Sequence, residues 1–346
     1  MEKTEQDLHK VSEETVDIES INNFSSSGVR AKTLKDLDKN TFSGKMRILW
    51  QKIWKHRVFY AMLAPAVILL AIFAYWPMYG ILIAFKDYKF KLGILGSPWV
   101  GFENFNVLFN EMEGFWPAFF NTIEINLLKL LFGFPAPILL AIMLNAVKQK
   151  HLKNVIQTIV YLPHFVSWVI IAGLLFSLFD SASGVVYILF EKMGIELDVF
   201  GTGSQFVTLL IVSDIWKEVG WGAIIYLAAL TGISPEYYEA AHLDGASTVQ
   251  QFWFITLPLL FPTISIMLIL RVGGLIGGGF DQIYNLYNTR VENVSEVLDT
   301  FIYKYGIGNG LFSIGTAVGL FTNVINVVLL LITNKIVKLM GGDGLY

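Results

Sequence analysis

The chain has 346 residues, 54% of them hydrophobic and 15% charged, with a mean hydropathy of +0.57. Soluble domains carry about 25% charged residues, so an ordinary soluble fold is excluded and an integral membrane protein is expected. The net charge of −3 carries little information in such a chain and no nucleic-acid partner is implied, while the absence of cysteine excludes a disulfide framework and thiolate metal sites.

Residues 1–57 are polar, and too long and too acidic ahead of the first apolar run to read as a cleavable signal peptide. Residues 1–44 offer little apolar surface to offset ordering entropy and read as a disordered tail. Between Met46 and Arg57, Ile48, Leu49, Trp50, Ile53 and Trp54 interleave with Arg47, Lys52, Lys55 and Arg57. This pattern fits an amphipathic helix at the lipid interface or a basic flank anchoring the first span. Both readings stay open. Residues 1–57 are therefore expected to form an N-terminal tail with a basic amphipathic end.

A hydrocarbon core of about 30 Å needs about 20 apolar residues in a helix. Six segments qualify: 58–85, 119–146, 155–180, 205–230, 259–281 and 312–338. Aromatic residues such as Tyr60, Tyr79, Trp116 and Tyr226 mark their ends, as rings at the headgroup level do. The expected fold is an all-α membrane protein of six transmembrane helices. Lys45, Arg47, Lys52, Lys55 and Arg57 precede the first span, Lys148, Lys150 and Lys153 lie between the second and third, and Lys335 and Lys338 close the last. Basic residues gather on the cytoplasmic side, which puts both termini, including residues 339–346, and the 231–258 loop in the cytoplasm.

Charges at membrane depth cost about 2.5 to 3.5 kcal/mol each and face a cavity, a partner helix or the interface. Glu124 and Lys129 in the second span, Asp214, Lys217 and Glu218 in the fourth and Arg271 in the fifth are such charges. Asp214, Lys217 and Glu218 share one helical face. They permit either local neutralisation of Asp214 by Lys217 or a solute path along which Trp216 and Trp221 supply flat surfaces.

The loop after the fourth span contains Ser234-Pro235-Glu236-Tyr237-Tyr238-Glu239-Ala240-Ala241-His242-Leu243-Asp244-Gly245-Ala246, followed by Ile255-Thr256-Leu257-Pro258. Ser234 ahead of Pro235 is a helix start, and Glu236 sits at the positive end of the helix dipole. Gly245 permits a backbone reversal, Ser247 caps a second helix, and Pro258 ends or bends it. The expected shape is helix, turn, helix, suited either to docking a soluble partner or to simple connection of two spans.

In the fifth span, Met267, Arg271, Gly274, Gly278, Asp281 and Asn285 recur at spacings of three and four, one stripe narrow in bulk and polar at its ends. It serves close helix packing or widens a pathway, with Asp281, Gln282, Tyr284 and Asn285 offering partners to hydroxyls. The glycines weaken the helix and predict a break or bend there. The five histidines are isolated, so no metal site is expected. The phosphate-cradling pattern Gly-x-x-x-x-Gly-Lys-Ser/Thr is missing, since Gly44-Lys45 is followed by Met46 and Lys39 stands where the first Gly belongs.

The spacing Glu239-Ala240-Ala241, three residues, Gly245, nine residues, Ile255-x-Leu257-Pro258 resembles the cytoplasmic coupling loop of permease subunits of ATP-driven, binding-protein-dependent (ABC) importers. The segments Tyr75 to Gly80, Gly96 to Phe105, Phe280 to Asn288 and Gly315 to Phe321 are similar to the sugar permeases that serve poly- and oligosaccharide uptake. This resemblance implies a five-helix permease core (MetI-like) over 119–338, with residues 58–118 adding a first span and its following loop. It implies ATPase coupling through Glu239, Ala240, Ala241, Asp244, Gly245, Ile255, Leu257 and Pro258. It also raises Trp216 among the pathway candidates Trp216, Trp221, Gly274, Gly278, Asp281, Gln282, Tyr284 and Asn285.

The implied protein is a transport subunit of the bacterial plasma membrane and not an enzyme. It needs no cofactor of its own, because ATP and Mg belong to a cytosolic ABC ATPase dimer. A second homologous permease, an extracellular sugar-binding protein and membrane lipid complete the expected partners. The rival readings are an ion-coupled secondary carrier, with Asp214, Glu124 and Lys129 as coupling residues, and a membrane-embedded enzyme, for which no convergent acid-base or metal set stands out.

Overall fold

Apolar runs of helical length dictate the architecture. A computed structural model describes residues 45–46, 50, 53–342 and 344–345. The expected tail over 1–44 lies outside the described residues, as do Arg47, Ile48, Leu49 and Lys52 of the amphipathic segment. Among the described residues the regular structure is helical, apart from an antiparallel bridge between Lys86 and Trp99. The chain divides into two compact units, Met1–Tyr79 and Gly80–Tyr346. The described part of the first holds α1 (Arg57–Leu70), which contains Pro65 and widens into a π turn at Ala71–Tyr75. Its apolar side chains, Phe59, Met62 and Phe73 among them, are exposed, as lipid-facing residues are.

The second unit carries α2 (Phe115–Gly133) and α3 (Pro135–Ala146), α4 (Lys150–Tyr161), α5 (Trp168–Phe179) and α6 (Gly203–Thr231). After these come α7 (Pro235–Leu243), α8 (Thr248–Gln251), α9 (Leu257–Val272), α10 (Phe280–Leu286) and α11 (Phe312–Leu339). Among the described residues four helical stretches are long and apolar enough to cross a membrane: Arg57–Phe85, Phe115–Ala146, Thr248–Val272 and Phe312–Leu339. A fifth is added if the bent pair Lys150–Phe165 and Trp168–Phe179 forms one span. Helix α6 has 29 residues, about 43 Å at the helical rise, but its three charges at Asp214, Lys217 and Glu218 hold it apart from the apolar set.

Two of the six expected spans are not continuous helices. The segment 155–180 bends by 99° at its centre, where Pro163 sits in a 3-10 turn at Leu162–Phe165 and the Ser167 hydroxyl accepts from the Ile170 N–H to start α5. The segment 259–281 stops at Val272. Gly277, Gly278 and Gly279 follow with φ of 129°, 83° and 94°, a region L side chains avoid, and α10 begins at Phe280. The predicted break is therefore present, and the continuous stripe from Met267 to Asn285 is not, because its two halves lie on separate helices.

Helix α6 packs against α2, α3, α4 and α9. Its lower half joins α3 and α9 in a core of Ala141, Leu144, Ala223, Tyr226 and Leu260, and its first turns join Phe200, Ile283 and Leu286. The approach to α4 is closest at Gly220, where an added Cβ would stand 1.9 Å from the Val160 carbonyl oxygen. Overpacking of this kind costs about 1 to 3 kcal/mol. A Gly220→Ala variant is expected to melt several degrees below wild type in detergent, read by thermal unfolding, whereas Gly274→Ala, with open space around the new methyl, should melt close to wild type.

Candidate functional site

Two features stand out, an exposed two-helix platform and a cavity beside α6. The platform is built from local chemistry. The Ser234 hydroxyl accepts from the Glu236 N–H at 3.4 Å, and Pro235 fills the first helical position. At the far end of α7 the Ala246 N–H reaches the Ala241 carbonyl at 2.9 Å and the Gly245 N–H the His242 carbonyl at 3.0 Å. Gly245 sits at φ 78°. This is a Schellman stop, which needs a left-handed residue at that position.

Ser247 then caps α8, its N–H donating to Gln250 Oε1 at 2.8 Å and its hydroxyl accepting from the Gln250 N–H at 3.3 Å. A π turn at Phe252–Thr256 leads into α9 with Pro258 near its start, where the wider turn accommodates a residue that has no N–H to give. Tyr238 Oη and Thr256 Oγ1, 3.0 Å apart, tie α7 to the foot of α9. Glu239, Ala240, Asp244, Gly245 and Pro258 are exposed, and Ala241, Ile255 and Leu257 are half-buried. Tyr237, Leu243, Val249, Trp253 and Phe254 are also exposed, so the platform presents apolar surface around three exposed acidic residues, Glu236, Glu239 and Asp244.

The cavity, about 380 Å³, lies among α2, α3, α5, α6 and α9, within the range of about 300 to 1,000 Å³ typical of small-molecule sites. Phe134, Trp168, Trp221 and Tyr226 give it aromatic walls, and Asp214, Glu218 and Arg271 give it charge. Asp214 does not pair with Lys217, as one reading of the sequence had it. Its carboxylate lies 3.3 Å from Lys129 of α2 and 3.8 Å from Arg271 of α9. Buried Lys129 also donates to Gln282 Oε1, and the Gln282 amide donates to the Leu210 carbonyl at 2.7 Å and to Ser213 Oγ at 2.9 Å.

Lys217, also buried, donates instead to the carbonyls of His164 at 2.5 Å and Val166 at 2.9 Å, with Glu218 3.7 Å away. The charge of Lys217 thus serves the broken turn between α4 and α5. His164 is hydrogen-bonded to Glu218 at 2.8 Å and lies parallel to the Trp221 ring at 4.4 Å.

Of the pathway candidates, Trp221 lines this cavity and Trp216 does not. Trp216 is exposed, two residues from Asp214 and so about 200° around the helix from it. Asp281 and Asn285 line a second cavity of about 470 Å³ that shares Trp168 with the first. Gln282 is fully buried as a brace. Tyr284 is partly exposed and packs against Phe280 and Tyr303.

Gly274 and Gly278 belong to the glycine break, where the Gly278 N–H donates to Asp299 Oδ2 at 2.7 Å. Burial pushes the Asp299 carboxyl up, and the Gly278 hydrogen bond pulls it partly back. Nearby, burial raises Glu296 against the pull of Lys304, and the hydrogen bond to Glu292 raises Lys304. Sequence reasoning missed Phe134, Trp168 and Tyr226 as cavity walls. The Pro163 to Ser167 stretch was the available signal, since a broken span aims the residue that follows its cap.

The family described as binding-protein-dependent transport system inner membrane component matches residues 133–341. The chain is 41% identical over 307 residues to the polygalacturonan/rhamnogalacturonan transport system permease protein YteP of Bacillus subtilis (strain 168), covering 87% of this chain and 94% of that protein. It is 29% identical to the arabinooligosaccharides transport system permease protein AraP of the same organism, over 82% of this chain and 90% of that one. A bacterial ABC transporter involved in the import of the acidic polysaccharide alginate contains a chain that superposes with a TM-score of 0.77 at 40% identity, covering 84% of this chain and 98% of that chain. A second structure of a bacterial alginate transporter, in complex with an alginate pentasaccharide-bound periplasmic protein, matches at TM-score 0.78 and 39% identity, over 86% of this chain and 99% of that one.

Removing one partner of a buried ion pair costs about 3 to 5 kcal/mol, because the other charge is left uncompensated. Lys129→Met is therefore expected to lower the unfolding midpoint in detergent sharply, and the double variant Lys129→Met/Asp214→Asn to recover most of the loss. Equal midpoints for the single and double variants would show that the pair is not what Lys129 contributes.

Proposed function

This chain belongs to the family of binding-protein-dependent transport system inner membrane components, and from that premise we propose how it works in an ATP-driven importer. It is a multi-pass inner-membrane permease subunit, a transport component and not an enzyme. In our reading α6 and the bent α4–α5 pair each cross the bilayer, giving six spans with both termini in the cytoplasm. The cargo is an oligosaccharide, supported by the polysaccharide and oligosaccharide substrates of similar permeases. A binding protein delivers it from outside, a reading supported by the related alginate transporter seen in complex with a pentasaccharide-bound periplasmic protein. Two cytosolic ATPase subunits hold ATP and Mg, and a second, similar permease supplies the other half of the path.

The observation that carries this reading is the platform. Helix α7 leaves an acidic and apolar surface uncovered while its foot is fixed to α9 through Tyr238 and Thr256. A handle of this kind has a use when a separate engine grips it. Closure of the ATPases on ATP moves α7, the spans open outward, and the sugar passes into the cavity beside α6. Glu239 and Gly245 are the positions whose loss uncouples transport.

The test is ATP-driven uptake of labelled oligogalacturonide into proteoliposomes holding this chain, its partner permease and the ATPases, with the binding protein outside. Glu239→Lys and Gly245→Val are expected to cut uptake by about tenfold or more and to reduce ATPase recovery in pull-downs, with membrane insertion unchanged. Accumulation of the sugar by the purified chain alone under a proton gradient would sink the reading in favour of a secondary carrier.

A further inference from the structure

Three charged side chains line the cavity, Asp214, Glu218 and Arg271, and Lys129 and Lys217 stand behind its two carboxylates. Lys129 is buried and takes Asp214 at 3.3 Å together with Gln282. Lys217 is buried against the carbonyls of the broken turn and takes Glu218 at 3.7 Å, and Glu218 is held again by His164 at 2.8 Å. What remains is Arg271. Among the described residues its contact is the long one to Asp214 at 3.8 Å, and its side chain is 53% exposed. An ionisable side chain at membrane depth is expensive to insert, and there it marks a solute path or a partner by default. A cation whose nearest carboxylate is already committed to a closer, buried lysine is the member of the set with binding capacity left.

We propose that Arg271 reads the charge of the sugar: its guanidinium takes the carboxylate of a uronic-acid unit in the cavity between α6 and α9, so that the chain favours acidic over neutral oligosaccharides. This rests on the importer reading above and adds the substrate class to it. Guanidinium presents N–H donors in a planar fork that matches a carboxylate in two parallel hydrogen bonds, which an ammonium cannot do. The aromatic walls of the same cavity, Phe134, Trp168 and Trp221, offer flat faces to the apolar sides of a sugar ring. Glu218 does not cancel the attraction, because Lys217 and His164 already engage it. The related permeases that handle polygalacturonan and alginate, polymers of carboxylated sugars, are consistent with such a reader.

The experiment is equilibrium binding of labelled trigalacturonate and of its methyl ester to the detergent-purified complex of this chain, its partner permease and the ATPases, without the binding protein. Wild type is expected to hold the acid about tenfold more tightly than the ester, the worth of one charge-assisted hydrogen-bonded contact. Arg271→Gln should remove that preference and leave the affinity for the ester unchanged, while Arg271→Lys keeps part of it. Equal loss for both ligands in Arg271→Gln, no preference in wild type, or binding of neither ligand would each overturn the proposal. ATP-driven uptake of a neutral oligosaccharide with no preference for the acid overturns this inference and leaves the importer standing; absence of any ATP-driven sugar uptake overturns the importer reading itself.

Discussion

The structure of the second unit turns on a charge that cannot be left alone in an apolar medium. Each ionised side chain at membrane depth costs about 2.5 to 3.5 kcal/mol to insert, and Lys129 is almost wholly buried. Its compensation comes from two other helices, the Asp214 carboxylate on α6 and the Gln282 amide oxygen on α10. Gln282 directs its two amide donors at the Leu210 carbonyl and at Ser213 Oγ, and Ser213 in turn donates to the Leu209 carbonyl at 2.6 Å. Each polar atom in the cluster has a partner, the condition under which a buried network fixes a unique arrangement of the helices that supply it. Helix α10 follows three glycines with positive φ and would be poorly positioned by its backbone alone. Gln282 supplies the polar tie to α6, beside the apolar packing of Ile283 and Leu286.

A second cluster solves a different problem with the same residue type. Breaking a span at Pro163 leaves carbonyls without helical partners, which is costly away from water. The Lys217 ammonium has three donors and directs them at the Pro163, His164 and Val166 carbonyls. The positive charge also suits the negative end of the preceding helix. With the turn held, Ser167 caps α5 and Trp168 comes to the wall of both cavities. One lysine of α6 thus fixes a bend in its neighbour and the placement of an aromatic wall.

These arrangements explain what the sequence could and could not disclose. The helix, turn and helix of the platform were legible because Ser234, Pro235, Gly245 and Ser247 act on bonds within a few residues of themselves. The glycine break after α9 was legible for the same reason. The partner of Asp214 was not, since Lys129 is 85 residues away, and a reading restricted to one helix pairs Asp214 with Lys217 because spacing alone brings those two together. Trp216, which the family resemblance raised, lies off the face of α6 that carries Asp214, Glu218 and Trp221 into this cavity. The bend at Pro163 was hidden inside an apolar run that satisfies the length of a span whether or not it is straight.

The platform and the cavity share their supports. Helix α6 ends at Thr231, three residues before the Ser234 cap, and α9 starts at Leu257, next to the Thr256 hydroxyl that meets Tyr238. The cavity takes Asp214, Glu218, Trp221 and Tyr226 from α6, and Met267 and Arg271 from α9. Both walls therefore continue directly into the two ends of the platform, and helices transmit displacement because their backbone hydrogen bonds resist bending more than side-chain contacts resist sliding. Across the cavity the contact joining those walls is the 3.8 Å approach of Arg271 to Asp214, the longest of the ion pairs around it. Asp214 lies closer to Lys129, at 3.3 Å, than to Arg271, so under the coupling proposed above a lever acting on this platform would reach the cavity at the weaker of the two contacts.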